Sequence, residues 1–274
     1  MEKQILVLGA NGKTGSRVTA KLAALNLPVR KGSRNGIPRF DWDDKGTWEP
    51  ALKDIHSVYI TFQPDLAAPG SLEAIETLSR LAAEAGVKKL VLLSGRGEKE
   101  AQDCEKIVMN SGLQWTIVRA SWFNQNFSES YLLEPIQAGF VALPAGDVKE
   151  PFIDVDDIAD VVVAALTEEG HNEKVYEVTG PRALSFREAI NEIAQATGKP
   201  VQYEQIPAAD YIATLKEYQV PQDVINLLNY LFSEILDGRN TIVSHGVEQA
   251  LGRKPKDFST YVKEVSANGT WANA

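Results

Sequence analysis

Near its start the chain reads Ile5-Leu6-Val7-Leu8-Gly9-Ala10-Asn11-Gly12-Lys13-Thr14-Gly15, four apolar residues followed by glycines at every third position. A short run that is apolar throughout is typical of a strand buried on both faces of a parallel sheet. Helical spacing follows from about Thr14 to Leu25, where Val18, Leu22 and Leu25 recur on one face. The segment is therefore predicted to form a strand, a glycine-rich turn and a helix.

The alternation of strand and helix continues over roughly the first 120 residues. Apolar runs predict further strands at 28–32, 54–60, 90–93 and 115–118, and helical spacing predicts helices at 72–85 and 98–110. This βαβ spacing predicts an α/β fold with a Rossmann-type doubly wound parallel sheet.

The later part of the chain has a different pattern. A helix is predicted over 156–166, a strand over 175–178, and a further helix capped by Ser185, with Glu188 completing a capping box. Helical segments dominate from Pro207 onward. We predict a Rossmann domain over residues 1–155. Residues 156–274 are predicted to hold the remaining Rossmann elements and a smaller, mostly helical C-terminal lobe for a substrate or partner, over the C-terminal edge of the sheet.

The three glycines stand where a dinucleotide-binding turn requires them. Gly9 permits a tight turn, Gly12 lets a pyrophosphate approach the backbone, and Gly15 allows close packing of helix on strand. The start of the helix offers N–H groups to phosphates. An ordinary glycine-rich turn is the alternative, but the strand before it and the helix after it favour dinucleotide binding. The candidate cofactor-binding residues of this loop are Gly9, Asn11, Gly12, Lys13, Thr14 and Gly15.

The second strand distinguishes NAD from NADP. An NAD site needs an acidic residue about 20 positions beyond the loop, but here the chain reads Lys31-Gly32-Ser33-Arg34-Asn35, with no carboxylate before Asp41. Arg34 can form a planar fork to a 2′-phosphate, and Ser33 can add a hydroxyl donor. A solvated loop arginine is the alternative interpretation of Arg34. We expect NADP(H) as the cofactor.

Five stretches of the chain form a recognisable set: Gly9–Gly15, Phe40-Asp41-Trp42-Asp43, Leu92-Leu93-Ser94, the stretch from Arg119 to Phe127, and the stretch from Pro151 to Ala159. Together they resemble the NmrA-like branch of the atypical short-chain dehydrogenase/reductases. The segments Trp48-Glu49-Pro50-Ala51-Leu52 and Asp257-Phe258 are similar to the reductases of ergot-alkaloid synthesis within that branch. The resemblance runs over nearly the whole chain and is strongest up to about residue 166.

The resemblance implies further site residues. Those implied at the cofactor are Asp41, Thr61, Phe62, Gln63, Ser94, Gly95, Trp122 and Phe123. Asp41 would lie near the adenine, after a short third strand ending at about Phe40, and residues 61–63 would end the fourth strand. Ser94 and Gly95 would lie beside the nicotinamide ribose, whereas Trp122, Phe123 and Asn126 would border the nicotinamide and the substrate pocket. A helix cap (Asp41), a turn residue (Ser94) and core aromatic residues (Trp122 and Phe123) are the structural alternatives.

The acid–base pair of ordinary short-chain dehydrogenases, Tyr-x-x-x-Lys, is absent, because no tyrosine here is followed by lysine four residues later. Reduction of a conjugated acceptor spreads the negative charge, so its product can take a proton from water or from a weak donor. We therefore expect an NADPH-dependent oxidoreductase that reduces a small quinone, enone, iminium or azo compound. The candidate weak donors are Ser94, Asn126 and Tyr131.

Composition and the remaining polar residues disfavour other classes. A formal net charge of -9 argues against direct nucleic-acid binding. The chain lacks both a signal-peptide core and a run of about 18 apolar residues, so we expect a soluble, cytoplasmic protein without a membrane role. The acidic neighbours of Cys104 disfavour a reactive thiolate. Metal binding is not expected at His56, His171, His245, Asp154, Asp156 or Asp157, because the histidines lack ligand spacing and acidic residues commonly begin helices.

A non-catalytic NADP(H) redox sensor is the alternative function. The NmrA-like family contains both enzymes and sensors, and the missing tyrosine favours a sensor, which would act on a protein partner. The aromatic residues Trp122, Phe123, Phe127 and Tyr131 favour a substrate site, because an apolar pocket beside a cofactor usually holds a ligand. We favour the enzyme.

Overall fold

The computed structural model describes residues 3–272. Its strands are β1 (Ile5–Leu8), β2 (Val29–Gly32), β3 (Ser57–Ile60), β4 (Lys89–Gly95), β5 (Gln114–Ala120), β6 (Phe140–Leu143), β7 (Lys149–Glu150), β8 (Lys174–Val178), β9 (Leu184–Ser185) and β10 (Gln202–Gln205). Its α-helices are α1 (Lys13–Ala24), α2 (Trp48–Leu52), α3 (Ser71–Glu84), α4 (Lys99–Met109), α5 (Leu133–Ala138), α6 (Val155–Thr167), α7 (Phe186–Thr197), α8 (Ala208–Glu217), α9 (Gln222–Tyr230), α10 (Gly246–Leu251) and α11 (Phe258–Ala267).

The main sheet confirms the predicted Rossmann-type, doubly wound fold. Its six strands lie in the order β2-β1-β3-β4-β5-β8, and every neighbouring pair is parallel. The chain passes from β1 to β2 on one side and then to β3 on the other side of β1. In open α/β sheets, ligands bind beyond the carboxyl ends of the strands at such a reversal.

The strands of this sheet are apolar because helices cover both of its faces. Leu6 and Leu8, on one face of β1, are completely buried in a core cluster that also contains Ile75 and Leu78 of α3. Val7, between them, is also completely buried, because side chains alternate between the faces of a strand. Burial on both faces explains why the sequence reads as a continuous apolar run.

The segment between β2 and α2 differs from the expectation. No strand ends at Phe40 among the described residues; the segment is irregular up to a 3-10 turn at Lys45–Thr47, and its only bridge joins Asp41 to Asp44. Pro38 has no backbone N–H to donate to a ladder, which disfavours a strand here. The strand before residues 61–63 is consequently the third of the sheet, not the fourth.

The chain divides into two compact units. The first unit comprises the described residues up to Ala120, together with Val155–Val178 and His245–Arg253. It contains the six-stranded sheet with α1–α4, α6 and α10. The second unit comprises Ser121–Asp154, Thr179–Ser244 and the described residues from Lys254 onward.

The second unit packs five helices and two small sheets around aromatic residues. Strands β6 and β10 form a parallel pair, and β7 and β9 an antiparallel pair. Its core includes Phe127, Phe152, Phe186 and Phe258. None of these four strands was predicted; β10 (Gln202–Gln205) is polar and largely exposed, and β7 and β9 have only two residues each.

Local helix signals in the second unit are confirmed. The Ser185 hydroxyl accepts from the N–H of Glu188, while the Glu188 carboxylate accepts from the N–H of Ser185, which completes the capping box. The predicted helical character after Pro207 is also found, in α8, α9 and α11 of this unit and in α10 of the first unit. None of the helices within residues 3–272 combines the length and apolar character needed to cross a bilayer.

Candidate functional site

A cleft of about 300 Å³ opens in the first unit at the carboxyl end of β1. It brings together the predicted residues Gly9, Asn11, Gly12, Ser33, Arg34, Asp41 and Gln63. Its other lining residues, which sequence reasoning did not propose, are Gly32, Asn35, Phe40, Trp42 and Asp43. The cleft lies where β1, β2 and β3 end, which is the reversal point of the sheet.

The glycine loop has no room for side chains. Gly9 has a φ of +66°, and a Cβ on it would lie 2.2 Å from the Thr61 hydroxyl oxygen. A Cβ on Gly15 would lie 2.1 Å from the Gly9 carbonyl oxygen. Both glycines are therefore required by the packing of the turn, as the spacing predicted.

The start of α1 fits a pyrophosphate. Gly12 is its N-cap and has no side chain with which to cap the helix, and its own N–H donates to the Gly9 carbonyl at 2.8 Å. First-turn N–H groups that no side chain caps attract anions. Lys13 and Thr14 occupy this first turn, and Gly12 itself lines the cleft. The loop therefore has the donor set and the open approach that a dinucleotide phosphate needs.

Residues 61–63 contribute to the cleft in different ways. The Thr61 hydroxyl is buried and donates to the carbonyl oxygen of Leu8 at 3.1 Å, so it supports the glycine loop from behind. Phe62 packs edge-on against Trp42, with ring centroids 4.9 Å apart. The Gln63 amide lines the cleft and lies 3.9 Å from where a Cβ on Gly12 would be.

Two tryptophans form and anchor the wall opposite the glycine loop. The Trp42 indole N–H donates to the Thr61 carbonyl oxygen at 3.1 Å. The Trp48 indole N–H donates to the Asp41 carbonyl oxygen at 2.7 Å, and Trp48 is completely buried. These bonds hold the irregular segment after β2 against the end of β3. The paired tryptophans are the sequence signal for this wall.

The cleft is lined by charged residues of opposite sign, among them Arg34 and Asp41. Arg34 is exposed and lines the cleft, where its guanidinium can reach a ligand. The Asp41 carboxylate accepts from the Arg39 guanidinium and from the N–H of Asp43. The hydrogen bond from Arg39 and that from Asp43 lower the pKa of Asp41, and the charges of Arg39 and Arg34 add to this effect. The negative charge of Asp41 is therefore compensated.

Ser94 and Gly95 lie at the carboxyl end of β4 in the same unit. The Ser94 hydroxyl donates to the Glu105 carboxylate at 2.6 Å. Glu105 also accepts from the Arg119 guanidinium at 2.9 Å, and Arg119 donates to Glu177 at 2.7 Å. The hydroxyl proton of Ser94 is therefore directed into an ion-pair network.

The remaining candidate residues belong to the second unit. Trp122 packs against Phe186 and Phe232, with centroids 5.3 Å and 5.2 Å away, and Phe123 forms a backbone bridge with Ile153. Asn126 is half-buried in the 3-10 turn Asn124–Phe127.

Tyr131 has an unusual setting in that unit. Its buried hydroxyl has no hydrogen-bond partner among residues 3–272. Burial, with a smaller effect of Tyr211, raises the pKa of Tyr131 well above its usual value. The hydroxyl therefore keeps its proton at neutral pH.

The side chains of Cys104, Asp156 and Asp157 are either buried or held in ion pairs. Cys104 is completely buried, and burial raises the pKa of its thiol. Asp156 lies 3.3 Å from Arg17, and Asp157 lies 2.6 Å from Arg253. Within the described part of the chain, no three histidine, cysteine or acidic side chains are grouped as metal ligands.

Comparison with known proteins identifies the family of this chain and several relatives. The model of the NmrA-like family matches residues 1–264. Festuclavine synthase II of Penicillium roqueforti is 28% identical over 96% of this chain and 99% of its own length. The NAD(P)H azoreductase of Xenophilus azovorans is 28% identical over 96% of this chain and 98% of its own. The crystal structure of the NADPH-dependent quinone oxidoreductase of Escherichia coli with NADPH superimposes with a TM-score of 0.76 at 22% identity, over 95% of this chain and 99% of the other.

Proposed function

Because the chain belongs to the NmrA-like family, we propose that it is an NADPH-dependent oxidoreductase that reduces a small conjugated acceptor. The observation that supports this function best is the cleft at the end of β1, in which a glycine loop and an uncapped helix start face Arg34. Oxidoreductases among its relatives, an azoreductase included, point to the same general chemistry.

The residues of the chain bind and orient the cofactor. The loop from Gly9 to Gly15 holds the pyrophosphate against the N–H groups of α1. Arg34 and Ser33 hold the 2′-phosphate, which distinguishes NADPH from NADH. Bound NADPH supplies the hydride. Trp42 and Phe40 give the cleft an apolar wall for the adenosine half.

A conjugated acceptor agrees with the polar groups available. The chain has no Tyr-x-x-x-Lys pair to protonate an alkoxide, and azo and quinone reductases are among its sequence and structural relatives. Quinone, enone and azo acceptors delocalise the electron pair that they receive, and an iminium cation becomes a neutral amine, so none of them leaves a localised alkoxide. Trp122, Phe123, Asn126 and Tyr131 of the second unit are our candidates for binding the acceptor.

The three proton donors proposed from the sequence are not equally suitable. Ser94 is the weakest candidate, because its proton is held by Glu105. Asn126 can donate a hydrogen bond but cannot release a proton at neutral pH. Tyr131 retains its proton, so both residues suit polarisation of the acceptor better than proton transfer.

The test is NADPH oxidation by the purified protein against a panel of quinones, enones, iminium compounds and azo dyes. Saturable turnover above the protein-free rate supports the reductase, and Gly15→Val should abolish it, since a side chain there meets the Gly9 carbonyl. Tight NADPH binding without turnover across the panel would contradict the proposal and favour the redox sensor. Capture of a protein partner in the presence of NADP or NADPH would then be the next measurement.

A further inference from the structure

Two carboxyl groups are neighbours at the carboxyl edge of the sheet. Asp65 follows β3 and Glu98 follows β4, and the charge of Asp65 raises the pKa of Glu98. Two ionised carboxylates repel each other, and protonation of one of them relieves that repulsion. The pair therefore favours the protonated form of Glu98.

The Glu98 carboxyl group is buried, and one of its two oxygen atoms lacks a hydrogen-bond partner in the described part of the chain. Glu98 is 6% exposed, and its Oε2 atom is buried without a hydrogen-bond partner in the part of the chain that the structure describes. A buried polar atom without a partner is uncommon and needs an explanation. Asp65 is half-buried, so the pair has one member near solvent and one inside.

The position of Glu98 is fixed by Gly95. A Cβ on Gly95 would lie 2.1 Å, 2.3 Å and 2.4 Å from Oε1, Cδ and Oε2 of Glu98. The carboxyl group therefore packs directly on the backbone at the end of β4, where only glycine leaves room. Gly95 is itself half-buried, and it ends β4 at the edge of the sheet beyond which ligands bind in open α/β folds.

Burial and the neighbouring carboxyl groups favour the protonated form of Glu98. Asp65 lies in the loop before α3, and Glu100 and Glu105 lie on α4; all three raise the pKa of Glu98. Burial is the largest cause of this increase. Glu98 is consequently protonated at a pH at which an exposed glutamate would be ionised.

We propose that Glu98, next to Asp65, supplies the proton that completes reduction of a quinone, enone or azo acceptor. The inference rests on the proposed function, which provides NADPH as the hydride source. Hydride adds to the acceptor and leaves an electron pair on its oxygen or nitrogen. The O–H bond of Glu98 then breaks, an O–H or N–H bond forms on the product, and Glu98 retains the electron pair as a carboxylate. Burial and the neighbouring acidic groups then favour the return of a proton from water to Glu98.

The decisive variant is Glu98→Gln, which keeps the shape and a donor to Asp65 but cannot release a proton. Since a general acid typically contributes about 10²–10⁴-fold, kcat should fall by about 10²-fold while KM for NADPH is unchanged. The wild-type kcat should decline as pH rises through the pKa of Glu98, and this limb should vanish in the variant. Glu84→Gln, an exposed carboxylate on α3 paired with Arg80, is the matched control and should behave as wild type.

A second variant tests the same role while Glu98 is still present. A second measurement detects the proton on Glu98 without requiring turnover. Gly95→Ala should displace the Glu98 carboxyl group and lower kcat in the same way while Glu98 is still present. Infrared spectroscopy of the protein without cofactor should show a protonated-carboxyl band at pH 7 that Glu98→Gln removes.

The outcomes separate this inference from the proposed function. Absence of turnover over the whole panel overturns the proposed function and the proton-transfer step that depends on it. Turnover with an unchanged kcat and pH profile in Glu98→Gln overturns only the role of Glu98. A wild-type protein without the carboxyl band also overturns that role, because the pair would then hold no proton to donate.

Discussion

The Thr61 hydroxyl oxygen occupies a site only 2.2 Å from where a Cβ on Gly9 would be, and it donates to the carbonyl oxygen of Leu8. The end of β3 therefore supports the turn that follows β1. This contact couples the shape of the glycine loop to its neighbouring strand and leads to the first prediction.

Gly9→Ala should weaken NADPH binding strongly and lower the free energy of unfolding. The new methyl group would collide with Thr61, and an alanine at a φ of +66° costs about 1–2 kcal/mol by itself. NADPH titration by fluorescence and urea unfolding measure the two effects. The double variant Gly9→Ala/Thr61→Ala should recover part of the loss, because the hydroxyl is gone. Wild-type binding by Gly9→Ala would contradict this structure of the loop.

Arg34→Ala should weaken the binding of NADPH far more than that of NADH. Hydrogen bonds to a charged group contribute about 1.5–3 kcal/mol, which corresponds to a rise of about tenfold to a hundredfold in Kd for NADPH. Isothermal titration with both cofactors measures the ratio. Arg80→Ala, which removes an exposed arginine of α3, is the control. Equal losses for the two cofactors would remove the argument for NADP.

Trp48→Phe should reduce stability and also weaken NADPH binding, although Trp48 does not line the cleft. The variant loses the 2.7 Å hydrogen bond to the Asp41 carbonyl oxygen and leaves space in the core. The expected cost is about 1–3 kcal/mol of unfolding free energy. Trp115→Phe, on β5 and away from the cleft, should affect stability alone. If both variants changed Kd equally, Trp48 would have no specific part in shaping the cleft.

Arg182→Met should destabilise the second unit in a pH-dependent way. Arg182 donates to Asp257 at the start of α11 and to Glu192 of α7, and its hydrogen bond lowers the pKa of Asp257. Because the pKa is lower in the folded state, the ion pair stabilises the protein above about pH 4, the unfolded value. That contribution disappears as pH falls through the folded-state pKa.

Urea unfolding of Arg182→Met and wild type at pH 7 and in acid measures this effect. The two proteins should differ by about 1–2 kcal/mol at pH 7, a modest value because the groups are partly exposed and screened. Their stabilities should converge in acid. Arg80→Met is the control for loss of a surface ion pair. A difference that persists unchanged in acid would show that Arg182 acts through packing and not through charge.

The local features of the site could be read directly from the sequence. The apolar run of β1, the glycine spacing and the arginine after β2 are each set by neighbours in the chain, and β1, α1 and the capping box of α7 were confirmed within a residue or two. Such elements depend on residue periodicity and on backbone geometry that particular residues permit.

Tertiary packing determined the features that the sequence did not predict. The strand expected before Asp41 is replaced by an irregular wall, in which Trp42 bonds to Thr61, just after β3, and Trp48 bonds to the Asp41 backbone. The first unit is also discontinuous, taking Val155–Val178 and His245–Arg253 from the later chain, which no local periodicity records.

The Rossmann fold and the position of its glycine loop are therefore determined by the sequence read locally, since hydrophobic period and glycine spacing act over a few residues. The carboxyl pair of Asp65 and Glu98 follows only from the folded chain. Parallel strands β3 and β4 end at the same edge of the sheet, and this brings together residues that are more than thirty positions apart. The raised pKa of Glu98 depends on burial and on that proximity, and neither is a property of the residues themselves.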